Sequence, residues 1–190
     1  MRELTYYIGA TIDGYIAGPG GEFDRLPIEP DLSAHINAIR PETIPTAFRE
    51  PLGLADAPNK LYDTVLMGKG TYLPGLESGS PSPYSHLKQY VFSSTLDPAL
   101  APDVTFVADD ALKTVRELKQ QEGQGIWLCG GGKLAAALVE EIDEIVLKRY
   151  PVVLGGGLPL FDGPYAPLRL DLVENLSFES GMSLQTYRAR

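Results

Sequence analysis

The sequence is poor in the residues that build cross-links and metal sites. It has one cysteine, Cys129, and two histidines, His35 and His86, in 190 residues. A lone cysteine excludes an internal disulfide. One thiol and two imidazoles fall short of the usual zinc ligand sets, so no metal site is expected. Positive charge is also short: 16 Lys and Arg against 25 Asp and Glu give a formal net charge of −9. A nucleic acid or an anionic membrane would be repelled on average, so neither is an expected partner. The longest apolar stretches, near 126–129 and 145–154, are too short or too interrupted to span a bilayer. The opening residues, from Met1 to Tyr7, lack the apolar core of a secretory signal. The expected location is therefore the cytoplasm. No repeat, low-complexity tract or long linker divides the chain, and residues 1–190 read as one domain.

Apolar residues make up 44% of the chain, enough to pack a core. Strand and helix patterns alternate, which predicts an α/β sheet. Leu4–Ile12 reads as the first strand, and Gly18-Pro19-Gly20-Gly21 breaks the chain after it. Asp31 is expected to cap a helix whose Leu32, Ile36 and Ile39 recur on one face. A proline-rich stretch follows, with a short helix expected within 46–52. Residues 64–67 read as a buried strand, 89–92, 104–107 and 126–129 as further strands, and the Pro- and Gly-bearing stretch 73–85 as a loop. Asp109 or Asp110 caps a helix carrying Leu112, Val115 and Leu118. A further helix starts at the triple glycine Gly130-Gly131-Gly132. Residues 144–154 read as a long strand broken by Pro151, and 170–178 with 184–188 as a closing antiparallel pair around Ser180-Gly181.

Three of these strands end in glycine or hydroxyl residues. Met67 runs into Gly68-Lys69-Gly70-Thr71, Phe92 into Ser93-Ser94-Thr95, and Cys129 into Gly130-Gly131-Gly132-Lys133. Ligands of open α/β sheets bind beyond the carboxyl ends of strands. Glycine lets the backbone approach a ligand closely, and a helix start offers free N–H groups to phosphate. Each turn taken singly is ordinary punctuation between strand and helix. The triple glycine is neither the six-residue dinucleotide fingerprint nor a Walker A loop. Together, Lys69, Lys133 and the hydroxyls favour a ligand with an extra phosphate, hence NADPH over NADH.

These segments, with Thr11-Ile12-Asp13-Gly14-Tyr15-Ile16-Ala17 and the run from Asp143 through Gly155-Gly156-Gly157 to Phe161, resemble the dihydrofolate-reductase-like superfamily. The resemblance is strongest to the C-terminal reductase domain of the bifunctional riboflavin-biosynthesis deaminase–reductase and its stand-alone bacterial relatives. It covers most of the chain in order. It implies a mainly parallel central sheet flanked by helices, with a C-terminal antiparallel pair. It also implies that Ala10, Ile16 and Ala17 contact the nicotinamide, and that Gly68, Lys69, Gly70 and Thr71 grip the cofactor phosphates. Ser93 and Ser94 would belong to the 2′-phosphate pocket, and Gly130, Gly131, Gly132, Lys133 and Leu134 to the diphosphate turn. Gly155-Gly156 reads as a structural turn. Lysine at 69 stands where arginine is common, keeping charge but not the bidentate fork.

The function so implied is NADPH-dependent reduction of a small heterocycle, by family default 5-amino-6-(5-phosphoribosylamino)uracil. Dihydrofolate reduction and a non-catalytic NADP-binding or ligand-sensing module are the alternatives. A reductase needs a proton donor as well as a cofactor. Asp31, near the first helix start, and Asp13, after the first strand, are the candidates, with Glu29 nearby. The stretch 22–62 is longer than the compact family pattern, and no deaminase signature is present. A homodimer is expected, because strand 144–154 and the last strands are apolar for a sheet edge.

Overall fold

The computed structural model describes residues 1–26 and 28–190; Pro27, in the 22–62 stretch, lies outside them. Strand β1 (Leu4–Thr11) and the short β2 (Tyr15–Ala17) come first, then α1 (Pro30–Ile39) and α2 (Thr46–Arg49). Next come β3 (Tyr62–Gly68), α3 (Lys69–Glu77), β4 (Lys88–Phe92), β5 (Val104–Val107) and α4 (Ala111–Gln120). The chain closes with β6 (Gly125–Gly130), α5 (Gly132–Ala137), β7 (Glu144–Tyr150), β8 (Leu158–Pro159), β9 (Leu170–Ser177) and β10 (Ser183–Ala189).

Eight strands form one sheet in the order β5-β4-β3-β6-β1-β7-β10-β9. Every adjacent pair from β5 across to β7 is parallel, and β7, β10 and β9 run antiparallel. The fold is therefore mixed α/β with a mainly parallel sheet and a C-terminal antiparallel pair. Alternation along the strands gives the sheet two buried faces. Tyr7, Val65, Met67, Trp127, Val146 and Leu184 pack on one, under Leu32 and Ile36 of α1 and Tyr72 of α3. Leu4, Tyr6, Leu66, Ile126, Leu128 and Ile145 pack on the other, under Val115 and Leu118 of α4 and Leu134 of α5.

Four expectations need correction. Asp31 does not cap α1: the cap position is Glu29, which makes no side-chain cap bond, and Pro30 occupies the first turn, where its missing N–H costs nothing. Residues 73–77 are helical despite Pro74. The buried Tyr72 holds that helix, packing edge-on to Phe106 and donating to the Pro81 carbonyl at 2.7 Å. Strand β7 stops at Tyr150, because Pro151 has no N–H to continue the ladder. It also lies inside the sheet between β1 and β10, so β9 is the edge on that side. The helix cap left open between 109 and 110 is Asp110, which accepts from the Lys113 N–H at 2.9 Å.

Leu32 is fully buried, whereas Val153, past β7, is 66% exposed. Leu32→Ala should cost about 2–5 kcal/mol in urea denaturation. Val153→Ala should stay within about 0.5 kcal/mol. Similar losses for the two would contradict the packing described.

Candidate functional site

The site grows from the way β6 sits between its neighbours. It pairs with β3 as far as Met67↔Gly130, with a register shift that leaves Cys129 unpaired. Such a bulge bends and twists the strand. On its other side β6 pairs with β1 from Leu4↔Ile126 only as far as Tyr6↔Leu128. Strand β1 instead follows β7 to Thr11↔Tyr150. Two half-sheets therefore part beyond Tyr6 and Leu128, at the carboxyl ends of the parallel strands. The Tyr7 carbonyl, next to the parting, accepts from the Trp127 indole N–H at 3.1 Å.

Three turns stand around this slot. A Cβ on Gly68 would lie 3.4 Å from the Gly131 nitrogen, so the ends of β3 and β6 touch through backbone. Gly130 has φ +138°, a region that favours glycine, and Thr71 Oγ1 and Ile8 Cδ1 flank it. Gly131 is extended, and a Cβ there would meet only Thr71 Oγ1 at 3.6 Å and Ile16 Cδ1 at 3.8 Å. Gly70 faces open space. Gly68 caps α3 and Gly131 caps α5 with no side chain to take up the first N–H groups. On the next strand end, Lys69 Nζ donates to Thr95 Oγ1 at 2.8 Å, and Ser93 Oγ lies 3.4 Å from that hydroxyl.

Ile16, Gly68, Lys69, Gly70, Thr71, Ser93, Gly130 and Gly131 are thus gathered at one crevice. Other expected contacts lie differently. Gly132 is buried under the Pro159 carbonyl, which leaves no room for a side chain. Ala10, Ala17 and Leu134 are buried in packing. Ser94 and Lys133 are exposed. The hydroxyl that holds Lys69 is that of Thr95. A separate cleft of about 690 Å³ lies beside α4, between Met1, Lys113, Arg116 and Glu141, and carries none of these turns.

Both candidate acids are occupied as acceptors. Asp13 takes bonds from Thr11 Oγ1 at 2.6 Å and from the Gly155 N–H at 2.7 Å, which ties β1 to the loop after β7. The Thr11 hydroxyl is the main cause that holds its carboxyl below the usual range. Asp31 accepts from the Ser180 N–H and Oγ, both at 2.9 Å, joining α1 to the β9–β10 turn. The Ser180 N–H is the main cause that lowers its carboxyl. Carboxylates held low carry no proton at neutral pH, and both act here as clamps.

Residues 2–184 match the RibD C-terminal domain family. The chain belongs to that family. Two uncharacterized Bacillus subtilis (strain 168) proteins resemble it along nearly their whole lengths. YyaP is 31% identical over 96% of this chain and 92% of its own, and YwjB 34% identical over 99% of both. A Shewanella sp. PV-4 structure whose name provisionally assigns it to riboflavin biosynthesis superposes with a TM-score of 0.70 at 23% identity, covering 100% of this chain and 99% of that one. The Thermotoga maritima diaminohydroxyphosphoribosylaminopyrimidine deaminase/5-amino-6-(5-phosphoribosylamino)uracil reductase gives 0.66 at 15% identity, with all of this chain covering 57% of that one. A pyrimidine reductase-like protein of Corynebacterium diphtheriae gives 0.64 at 13% identity, over 100% and 92%. At these identities the structures establish the shared fold. No described helix is long and apolar enough to cross a membrane.

The clamps have a pH signature. A carboxylate lowered by folding stabilises the protein above its unfolded value, about 3.9 for Asp. That stabilisation is lost as pH falls through the folded value. Asp31→Asn should lower the urea midpoint at neutral pH and converge on the parent in acid. A gap that does not narrow in acid would contradict the clamp.

Proposed function

We propose that the protein is an NADPH-dependent reductase of a small heterocyclic acceptor. The observation that carries this reading is the slot between β1 and β6, with the turns of β3, β4 and β6 opening onto it. The crevice fits a dinucleotide phosphate in three respects. Gly70 and Gly131 leave space where side chains would intrude, α3 starts with uncapped N–H groups, and Lys69 stands beside two hydroxyls. Gly68, Gly70 and Thr71, with the Gly130–Gly131 turn, would hold the diphosphate. Lys69, Ser93 and Thr95 would hold the 2′-phosphate. Ile8 and Ile16 would flank the nicotinamide. When bound, NADPH supplies a hydride; the chain positions it, excludes water and provides the proton.

The uracil compound named above is the acceptor we favour, on family membership. Dihydrofolate is disfavoured, because Leu32 and Ile36 occupy the inward face of α1 and Asp31 is tied to Ser180. Loss of the reduced-nicotinamide absorbance with each acceptor tests this. Fast turnover of dihydrofolate would overturn the choice, and binding without turnover of any acceptor would favour a sensing module. Work in the cytoplasm, where Cys129 stays reduced, is part of the same reading.

NADPH should bind more tightly than NADH. A charge-assisted phosphate contact contributes about 1.5–3 kcal/mol, roughly tenfold or more in affinity. Fluorescence titration should show that preference in the parent and its loss in Lys69→Ala. Equal affinities in the parent would remove the phosphate pocket.

We further propose a homodimer through edge strand β9, where Leu172 and Val173 stay exposed. Light scattering should give twice the 20.6 kDa chain mass; the mass of a single chain would overturn it.

A further inference from the structure

Alternation along β7 turns Glu144, Val146, Lys148 and Tyr150 toward the face that α1 covers. Lys148 is half-buried on that face, and an ammonium that loses hydration is normally paired. Among the described residues, no carboxylate lies within 4.0 Å of Lys148 Nζ and no group accepts a hydrogen bond from it. Instead Nζ stands 4.4 Å from the centroid of the Tyr7 ring. The Arg40 guanidinium, just past α1, lies 5.4 Å from the same centroid. Strand β6 contributes Cys129, with Tyr84 beside it. The register partners of Lys148 are Gly9 on β1 and Leu184 on β10, neither of them charged.

This cluster borders the slot. Tyr7 is the first β1 residue past the last bridge to β6, and Cys129 immediately precedes Gly130. Burial pushes the Cys129 thiol up to about 11 and the Tyr150 phenol up to about 12, and raises Tyr7 and Tyr84 as well. All four keep their protons at neutral pH. Burial pushes Lys148 the other way, down to about 8, with Arg40 adding to the effect. Lys148 is thus the member of this cluster that exchanges a proton near neutrality.

We propose that Lys148 is the proton donor of the site, and that the acceptor carries an imine or carbonyl whose heteroatom faces it. The proposal deepens the reductase reading and rests on it. Hydride from the reduced nicotinamide forms a C–H bond at the acceptor carbon, and the C=N or C=O π pair moves onto the heteroatom. That atom takes a proton from Lys148 Nζ, whose N–H bond breaks to leave a neutral amine. Water restores the ammonium. One hydride and one proton are consumed, and the nicotinamide is oxidised. A cation without a carboxylate beside it suits an acceptor on which negative charge develops.

Reductive methylation with ¹³C-formaldehyde and a borane, read by peptide mass spectrometry and NMR, tests the assignment without turnover. An amine titrating near 8 is neutral far more often at neutral pH than an ordinary lysine near 10.4. The methylated Lys148 signal should titrate near 8, and saturating NADPH should slow modification of Lys148 but not of exposed Lys113. An ordinary titration, or no protection while NADPH binds, overturns the proposal. Absence of NADPH binding by fluorescence overturns the reductase reading itself, and the proposal with it. In the uracil assay, Lys148→Met should lower kcat by about a hundredfold or more with NADPH affinity unchanged. Lys148→Arg should not rescue it, since a guanidinium does not release its proton. Parental turnover in Lys148→Arg would show that only the charge over Tyr7 matters.

Discussion

The ladder between β1 and β6 stops at Tyr6 and Leu128, and the site is built around that stop. Parting two central strands frees backbone groups that must find other partners. The Trp127 indole takes the Tyr7 carbonyl, β1 stays with β7, and the Cys129 bulge keeps β6 with β3. The opening is braced from outside by the segment after β7. There the Leu160 N–H donates to the Gly14 carbonyl, the Asp162 N–H to the Gly132 carbonyl, and Asp13 holds the Gly155 N–H. Gly132 and Gly157 let that segment close in, since a side chain at either would strike backbone. The glycines of this protein therefore divide in role. Gly70 and Gly131 leave open space at the crevice, and Gly132 and Gly157 leave space for the protein's own chain.

A polyphosphate is an unexpected ligand to propose for an acidic protein. Its charges are spread over the surface, however, and the Debye length at physiological salt is about 8 Å. An anion in the crevice would respond to the uncapped start of α3 and to Lys69, not to the sum of −9. The same locality governs the other wall, where Lys148 and Arg40 both face the Tyr7 ring.

Much of this was legible in the sequence. Short apolar runs bounded by glycine, proline and hydroxyl residues marked the strands, and the turns after Met67, Phe92 and Cys129 lie together at the carboxyl ends of the parallel strands. Helix α3 past Leu73 was hidden, since Pro74 and Gly75 read as loop and the burial of Tyr72 is a tertiary effect. The short strands β2 and β8 were hidden because they pair only with each other. Asp31 resembled a cap because its long-range partner, Ser180, is invisible to local pattern. Lys148 did carry a signal: a lysine at an inward position between Val146 and Tyr150. Reading β7 as an edge strand removed the reason to notice it, and its interior place restores that reason.

The central claim is that the parting of β1 from β6, with the turns around it, is the ligand site. Titration of the ¹⁵N-labelled protein with NADPH, followed by amide chemical shifts, tests it most directly. The account predicts perturbations concentrated at Ile16, at Gly68 to Thr71, at Ser93 to Thr95 and at Gly130–Gly131, with α4 unmoved. Shifts centred on Lys113 and Arg116 beside α4, or none at saturating cofactor, would contradict it.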